Sequence, residues 1–103
     1  MVSSCASEAV GGSGDGEFNR PCGISVVEVN DDGEVEVYVS DRGNHRIQIF
    51  DQQGDFLRKW GVEGEGEGEF KWPAGMCIAA TNTGRNEIFV CDAINNDRIQ
   101  VFR

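Results

Sequence analysis

Three clusters of polar side chains in this chain combine residue types that carry chemistry. The densest runs from Asp41 to Arg46, where a carboxylate, two guanidinium groups, an amide and an imidazole fall within six consecutive positions. A second, Asn30-Asp31-Asp32-Gly33-Glu34, sets oxygen ligands close together, as a calcium loop does. A third, "GVEGEGEGEF" at 61–70, alternates glycine with carboxylates and invites comparison with a phosphate cradle or an acidic metal site. None is complete. His45 is the single histidine, so it would have to serve alone as ligand or as base. The acidic hairpin lacks the twelve-residue calcium pattern with its terminal Glu. The glycine series lacks a Lys-Ser/Thr ending and leads into a strand instead of a helix. Cysteines at 5, 22, 77 and 91 contain no Cys-x-x-Cys pair, and read as reduced, small apolar side chains. No catalytic residue, metal or cofactor is expected.

Composition bounds the remaining classes. At 103 residues the chain is one domain at most, burying about 60–70% of the surface its unfolded form exposes. Eighteen acidic against nine basic residues give a formal charge of −9, which opposes binding to a phosphate backbone. Fourteen glycines and two prolines suit a turn-rich β protein. The N-terminus "MVSSCASEAVGGSG" has neither the basic nor the apolar region of a secretory signal. The longest apolar run, "AGMCIAA" at 74–80, falls far short of the ~20 residues that span a bilayer. The expectation is a soluble, cytoplasmic chain with no membrane contact and a flexible tail over residues 1–10.

The polar cluster at 41–46 is read through its recurrence. Displaced by 52 positions, "GGSGDGEFNRPCGIS" at 11–25 lies over "EGEGEGEFKWPAGMC" at 63–77, and "RIQIF" at 46–50 lies over "RIQVF" at 98–102. Between these blocks the offset is 51, so Tyr38-Val39 meets Phe89-Val90, Asp41 meets Asp92 and Asn44 meets Asn95; Asp97 is the extra residue that restores 52. The glycine-glutamate run is therefore half of a repeat and not a linker. Its glycines keep φ > 0 accessible for a wide turn, while the residues between them drift among Ser, Asp and Glu, as solvated turn residues do. A motif present once per repeat is better explained as structure than as an active site, which occurs once. Asp41 and Asp92 are read as turn locks, Asp41 accepting from the backbone of the 42–44 turn, with Arg46 and Arg98 beyond the turn pairing with a carboxylate.

Each copy resolves into short β segments. "CGISVVEVN" reaches an Asp-Asp-Gly turn, and "EVEVYVSD" follows with Val35, Val37 and Val39 on one face. "HRIQIFD" puts Ile47 and Ile49 on one face and Phe50 on the other, and "DFLRKWG" completes four antiparallel strands. The second copy supplies "AGMCIAAT", "NEIFVCD" and "DRIQVFR". No helical period competes. If the two halves are one sheet built twice, Ile47 and Ile99 occupy equivalent settings.

These residues resemble the NHL-repeat family. The resemblance rests on the glycine-rich lead into Phe-x-x-Pro-x-Gly-(Ile/Met), on the aromatic-Val-x-Asp at 38–41 and 89–92, and on Asn-His-Arg-Ile-Gln-Ile-Phe-Asp at 44–51. It implies an all-β fold of two tandem four-stranded antiparallel blades of a β-propeller, an open fragment with blade 1 at 11–62 and blade 2 at 63–103 lacking its last strand. Propellers have four to eight blades, so open edges would remain, inviting self-association.

Within the family, the resemblance implies an interaction platform for protein partners, in some members part of ubiquitin-ligase scaffolds. Arg42, Asn44, His45 and Arg46, with Asn95, Asn96 and Arg98, are the candidate interaction loops, because loops on a rigid scaffold vary without disturbing its core. RNA binding is the alternative the family offers; Arg42, His45, Arg46, Arg58, Lys59, Trp60, Lys71 and Trp72 would supply its basic and aromatic groups against the surrounding acidic charge. A metal-dependent lyase acting on amidated peptides is a further family activity, for which one histidine is too few ligands. Both tryptophans are read as packing residues at the blade rim, and His45 as an exposed turn residue.

Overall fold

The computed structural model describes residues 10–80, 86–92 and 98–102, and the elements below are those of the described residues. β3 (Pro21–Glu28), β4 (Val35–Asp41), β5 (Arg46–Asp51) and β6 (Phe56–Trp60) form one antiparallel sheet in that order. β9 (Pro73–Ala80), β10 (Asn86–Asp92) and β11 (Arg98–Phe102) form a second, three-stranded one. The first hairpin closes as its sequence dictates: Asn30 Oδ1 accepts from Asp32 N at 2.9 Å, and Gly33 takes φ 81°, a value that glycine adopts without strain.

The period-two alternation divides β4 and β5 between two cores. Tyr38, Ile47 and Ile49 face the second sheet, where they pack with Phe70 and Val90, and with the partly buried Met76, Ile78, Ile88 and Phe102. Val37, Val39 and Phe50 face the other way and pack under Phe18, with Phe56 beside them. Residues 46–50 are thus buried on both sides of the strand, which is why "RIQIF" reads as apolar without a clean alternation. The two sheets meet through β3 and β9 and are tied by Ser40, whose hydroxyl donates to the Ala74 carbonyl while accepting from Gly23 N at 2.7 Å.

The two glycine-rich leads, expected as wide turns, are loops closed by short strand pairs. β1 (Val10–Gly11) pairs in parallel with β2 (Glu17–Phe18), and β7 (Val62–Glu63) does the same with β8 (Glu69–Phe70). Gly12 N donates to the Phe18 carbonyl at 2.9 Å and Gly64 N to that of Phe70 at 3.1 Å. Gly16 and Gly68 take φ 79° and 75° at equivalent positions. Nor are all the carboxylates merely solvated. Glu17 Oε1 accepts from Gly14 N at 2.8 Å and Glu69 Oε1 from Gly66 N at 2.9 Å, each holding its own loop shut. Closure aims Phe18 and Phe70 into the cores.

Register shows how far the halves repeat. Asp41 pairs with Arg46 and Ser40 with Ile47; Asp92 pairs with Arg98 and Cys91 with Ile99. Ile47 and Ile99 hold the same place in the ladder, yet their settings differ: Ile47 is fully enclosed and Ile99 is 65% exposed. The reason is stacking, since the first sheet's face is covered by the second sheet and the second sheet's corresponding face is open.

Candidate interaction face

The polar cluster at 41–46 is built from three elements. β4 delivers Asp41 at its end, a three-residue turn at 42–44 reverses the chain, and β5 returns Arg46 opposite Asp41. His45 closes the turn with φ 56°. Asp41 is fully buried and saturated: Oδ1 accepts from Asn19 N at 2.8 Å, and Oδ2 from Arg46 Nε at 2.8 Å, Asn44 Nδ2 at 2.9 Å and Gln48 Nε2 at 3.2 Å. Its donors are therefore the lead and side chains, not the backbone of the 42–44 turn as the sequence suggested. The turn is held separately, Gly43 N donating to the Asn19 carbonyl at 2.7 Å. Arg46 spreads its remaining donors over the carbonyls of Ser13, Gly14 and Glu17, each at 2.9 Å.

Among its described residues the second copy repeats the carboxylate–arginine part of this arrangement. Asp92 accepts from Lys71 N at 2.7 Å and from Arg98 Nε at 3.2 Å, while Arg98 donates to the carbonyls of Glu65, Gly66 and Glu69. Gln48 and Gln100 belong to the same network and were missed in the sequence. Gln48 accepts from Gly16 N at 2.9 Å and donates to the Glu17 carbonyl at 2.7 Å; Gln100 does so with Gly68 and Glu69 at 3.0 and 2.7 Å. The available signal was a glutamine at the same strand position in both copies, flanked by isoleucine.

Of the expected interaction residues, Arg46 is turned inward and Asn44 is held by Asp41 and by the Gly12 carbonyl, 2.8 Å from its Nδ2. Asn95 and Asn96 lie outside the described residues. His45 is not an exposed turn residue: its side chain is 17% exposed, and its Nδ1 accepts from Trp72 N at 3.2 Å. That bond requires the tautomer protonated at Nε2, which stands 4.0 Å from Glu63. The His45 ring also meets the Trp72 indole edge-on, centroids 6.0 Å apart.

Trp72, itself half-buried, is the centre of the rim, with Arg42 half-buried and Arg20 exposed. Arg20 and Arg42 place their guanidinium carbons 5.5 and 5.8 Å from its ring centroid. Arg20 and Trp72 occupy the same repeat position, each preceding a proline, with φ 55° and 61°. Such left-handed backbone costs a non-glycine residue about 1–2 kcal/mol. Sequence comparison of the copies passed over Arg20 because its counterpart is an indole. Trp60, by contrast, is a packing residue at the blade rim as expected, 5.5 Å from Phe102 and 6.1 Å from Tyr38 between ring centroids.

Below the rim, Arg58 donates to both oxygens of Glu36 at 2.8 and 3.2 Å. The guanidinium holds the Glu36 carboxyl below its ordinary range, against desolvation pulling the other way. Burial raises the neighbouring Tyr38 hydroxyl. Among the described residues no group of three or more His, Cys, Asp or Glu side chains converges to hold a metal, and no helix is long and apolar enough to cross a membrane.

Two stacked antiparallel sheets of one repeat, each fastened to its own lead, are consecutive blades of a propeller. A family model described as a 6-bladed beta-propeller matches residues 12–102. The chain belongs to that propeller family, and its repeats are NHL repeats. Similar proteins include protein brain tumor of Drosophila melanogaster, 32% identical over 88 residues, which is 85% of this chain and 8% of that protein. Protein lin-41 of Caenorhabditis elegans is 52% identical over 48 residues, 47% of this chain and 4% of the relative. RING finger protein nhl-1 of the same organism is 38% identical over 65 residues, 63% of this chain and 6% of the relative. The chain thus spans less than a tenth of the length of the curated relatives it matches. The NHL resemblance and the all-β, open-propeller fold class are borne out.

Proposed function

We propose that these NHL blades form a non-enzymatic platform that binds protein partners through the rim around Trp72, and that the segment recognised carries carboxylates. The observation that carries this reading is the pair of guanidinium groups, Arg20 and Arg42, standing over one indole in a chain of net charge −9. Tryptophan and arginine dominate interface energetics because they offer large contact area with directional donors. An acidic chain that concentrates arginine around Trp72 has made a local exception to its own field. Of the expected interaction residues, Arg42 and His45 contribute here, His45 by fixing the Trp72 backbone; Asn44, Arg46 and Arg98 act by holding the loops on which the rim stands.

The finer setting is a ubiquitin-ligase-type scaffold, supported by the RING finger in the name of one relative. RNA is the second reading, favoured by the same indole, whose face suits base stacking. Glu63, Glu65 and Glu67 lie in the adjoining lead and oppose the continuous charge of a phosphate backbone more than the few carboxylates of a peptide.

The test is an array of acidic and neutral peptides probed with the chain and with its Arg20→Ala/Arg42→Ala/Trp72→Ala variant. Selective capture of acidic peptides, lost in the variant, is the expected result. Equal capture by both proteins removes the rim as the contact surface, and a mobility shift of single-stranded RNA at physiological salt replaces protein with RNA.

A further inference from the structure

At the rim, two left-handed residues from different blades are joined by one hydrogen bond. His45 closes the turn of blade 1 at φ 56°, and Trp72 leads into β9 of blade 2 at φ 61°. His45 Nδ1 accepts from Trp72 N at 3.2 Å. Non-glycine backbone in this region persists only where its surroundings hold it, and the atom that meets the Trp72 amide is a nitrogen that titrates. Nδ1 accepts only while it is bare; an imidazole carrying both protons is a donor at each nitrogen. Protonation therefore sets Nδ1–H against Trp72 N–H, two donors facing each other across the same 3.2 Å.

The charges around the ring decide where a protonated His45 goes. Among the described residues, Glu63 of β7 brings Oε1 to 4.0 Å from Nε2, the ring nitrogen that does not meet Trp72. Arg46, next in the chain, and Lys59 of β6 line the same cleft. Arg42 and Arg20 stand at the Trp72 indole, and Lys71 precedes Trp72 in the chain. Arg46 is committed to Asp41, and Lys59 to Asp15, so Glu63 is the carboxylate that answers the imidazolium. With the His45 side chain only 17% exposed, water does little for the added charge. The imidazolium is drawn to Glu63 and lets the Trp72 amide go.

We propose that His45 is a proton-operated latch on the rim. Neutral, it holds the Trp72 backbone in its left-handed conformation and so fixes the indole beside Arg20 and Arg42; protonated, it turns to Glu63 and frees the 71–72 segment. Capture of a carboxylate-bearing segment then weakens as pH falls through the range in which imidazoles take up a proton. The added positive charge does not offset this loss, because Glu63 neutralises it within the cleft. This consequence for capture rests on the rim being the contact surface, whereas the latch itself does not. All parts of the latch lie within residues 20–72, at the junction of the two blades.

NMR of the 15N-labelled 103-residue chain tests the latch, and the single histidine makes its ring signals unambiguous. At about pH 7.5 the ring shifts are expected to report the tautomer with bare Nδ1. Between about pH 7.5 and about pH 5.5, where ordinary carboxylates keep their charge, the Trp72 amide is expected to titrate with the same midpoint as the ring. Its protection from hydrogen exchange should fall about tenfold, the factor one intramolecular hydrogen bond is worth, while that of Ile47 and Ile49 stays unchanged. His45→Asn keeps a side-chain acceptor near the Nδ1 position, tolerates φ > 0 and does not titrate, so its Trp72 amide is expected to stay protected throughout. A Trp72 amide unmoved while the ring titrates overturns the proposal, as does wild-type pH dependence persisting in His45→Asn. Glu63→Gln is expected to move the ring midpoint to lower pH by removing the charge that attracts the imidazolium; an unmoved midpoint overturns the part given to Glu63. Binding of a labelled acidic peptide, read by fluorescence anisotropy, is expected to be about tenfold weaker at the lower pH in wild type and equal at both in His45→Asn. Equal wild-type affinity at both pH values, with Trp72 released, overturns the regulatory half. No binding at either pH refutes the rim as the contact surface, and the NMR result still decides the latch.

Discussion

Asp41 Oδ2 stands 2.8 Å from Arg46 Nε with both side chains buried, while the matching pair, Asp92 and Arg98, is wider at 3.2 Å with the arginine 30% exposed. One lock is sealed under the lead of blade 1 and the other opens to water. Their loss should not be equal.

Asp41→Ala leaves a buried guanidinium without its counter-charge and is expected to cost about 3–5 kcal/mol. Asp92→Ala leaves a hydrated arginine and is expected to cost about 1–3 kcal/mol. Urea unfolding followed by tryptophan fluorescence ranks the two, and an equal or reversed order contradicts the assignment.

Gln48 joins Asp41 to the glycine loop, and replacing its amide by a carboxylate tests that link. In Gln48→Glu the Nε2 donor to Asp41, 3.2 Å away, becomes a like charge. Destabilisation at pH 7 is expected to exceed that of Gln48→Ala, which removes three hydrogen bonds for about 1–3 kcal/mol. Protonating the new carboxyl restores a donor, so the Glu variant should recover stability relative to wild type as pH falls toward 5, read from urea midpoints.

Gly16 and Gly68 separate backbone from packing, since a Cβ at either meets nothing within 4 Å. With φ at 79° and 75°, alanine at each should cost ~1–2 kcal/mol through conformation alone, and asparagine, which tolerates this region, distinctly less. Chemical unfolding of the four single variants gives the comparison; an Ala variant as stable as wild type refutes it.

Glu36 is held in its charged form by Arg58, so its folded pKa lies below the usual 4.5. A depressed carboxyl stabilises the fold above its unfolded pKa, and that contribution is lost as pH falls through the folded value. Arg58→Ala should raise the Glu36 titration midpoint and flatten the acid side of the stability profile below pH 4.5. Side-chain carboxyl NMR shifts against pH follow the midpoint directly; no movement on removing Arg58 would break the linkage.

Much of the scaffold was legible because it is local and repeated. Val35, Val37 and Val39 alternate, Asp-Asp-Gly turns, and Asp and Arg recur in both copies at offsets of 51 and 52, so seven main strands and the two Asp–Arg locks follow from period and repetition. The locks' other partners were not legible. Asn19 reaches Asp41, 22 positions away, only because the lead folds back over the sheet, whereas Gln48 reaches it from the neighbouring strand and joins it to that lead.

Sequence alone determined that this protein is one blade pattern written twice, since hydrophobic period and turn chemistry act between neighbours along the chain. Tertiary structure alone decided what each copy does with it. Ile47 is enclosed and Ile99 bare because burial depends on which sheet stacks against which face. Trp72 reaches His45 across 27 positions, and no local period encodes a contact of that length. The rim and the open faces arise from stacking, which two matching repeats share unequally when a face of one is covered and that of the other is not.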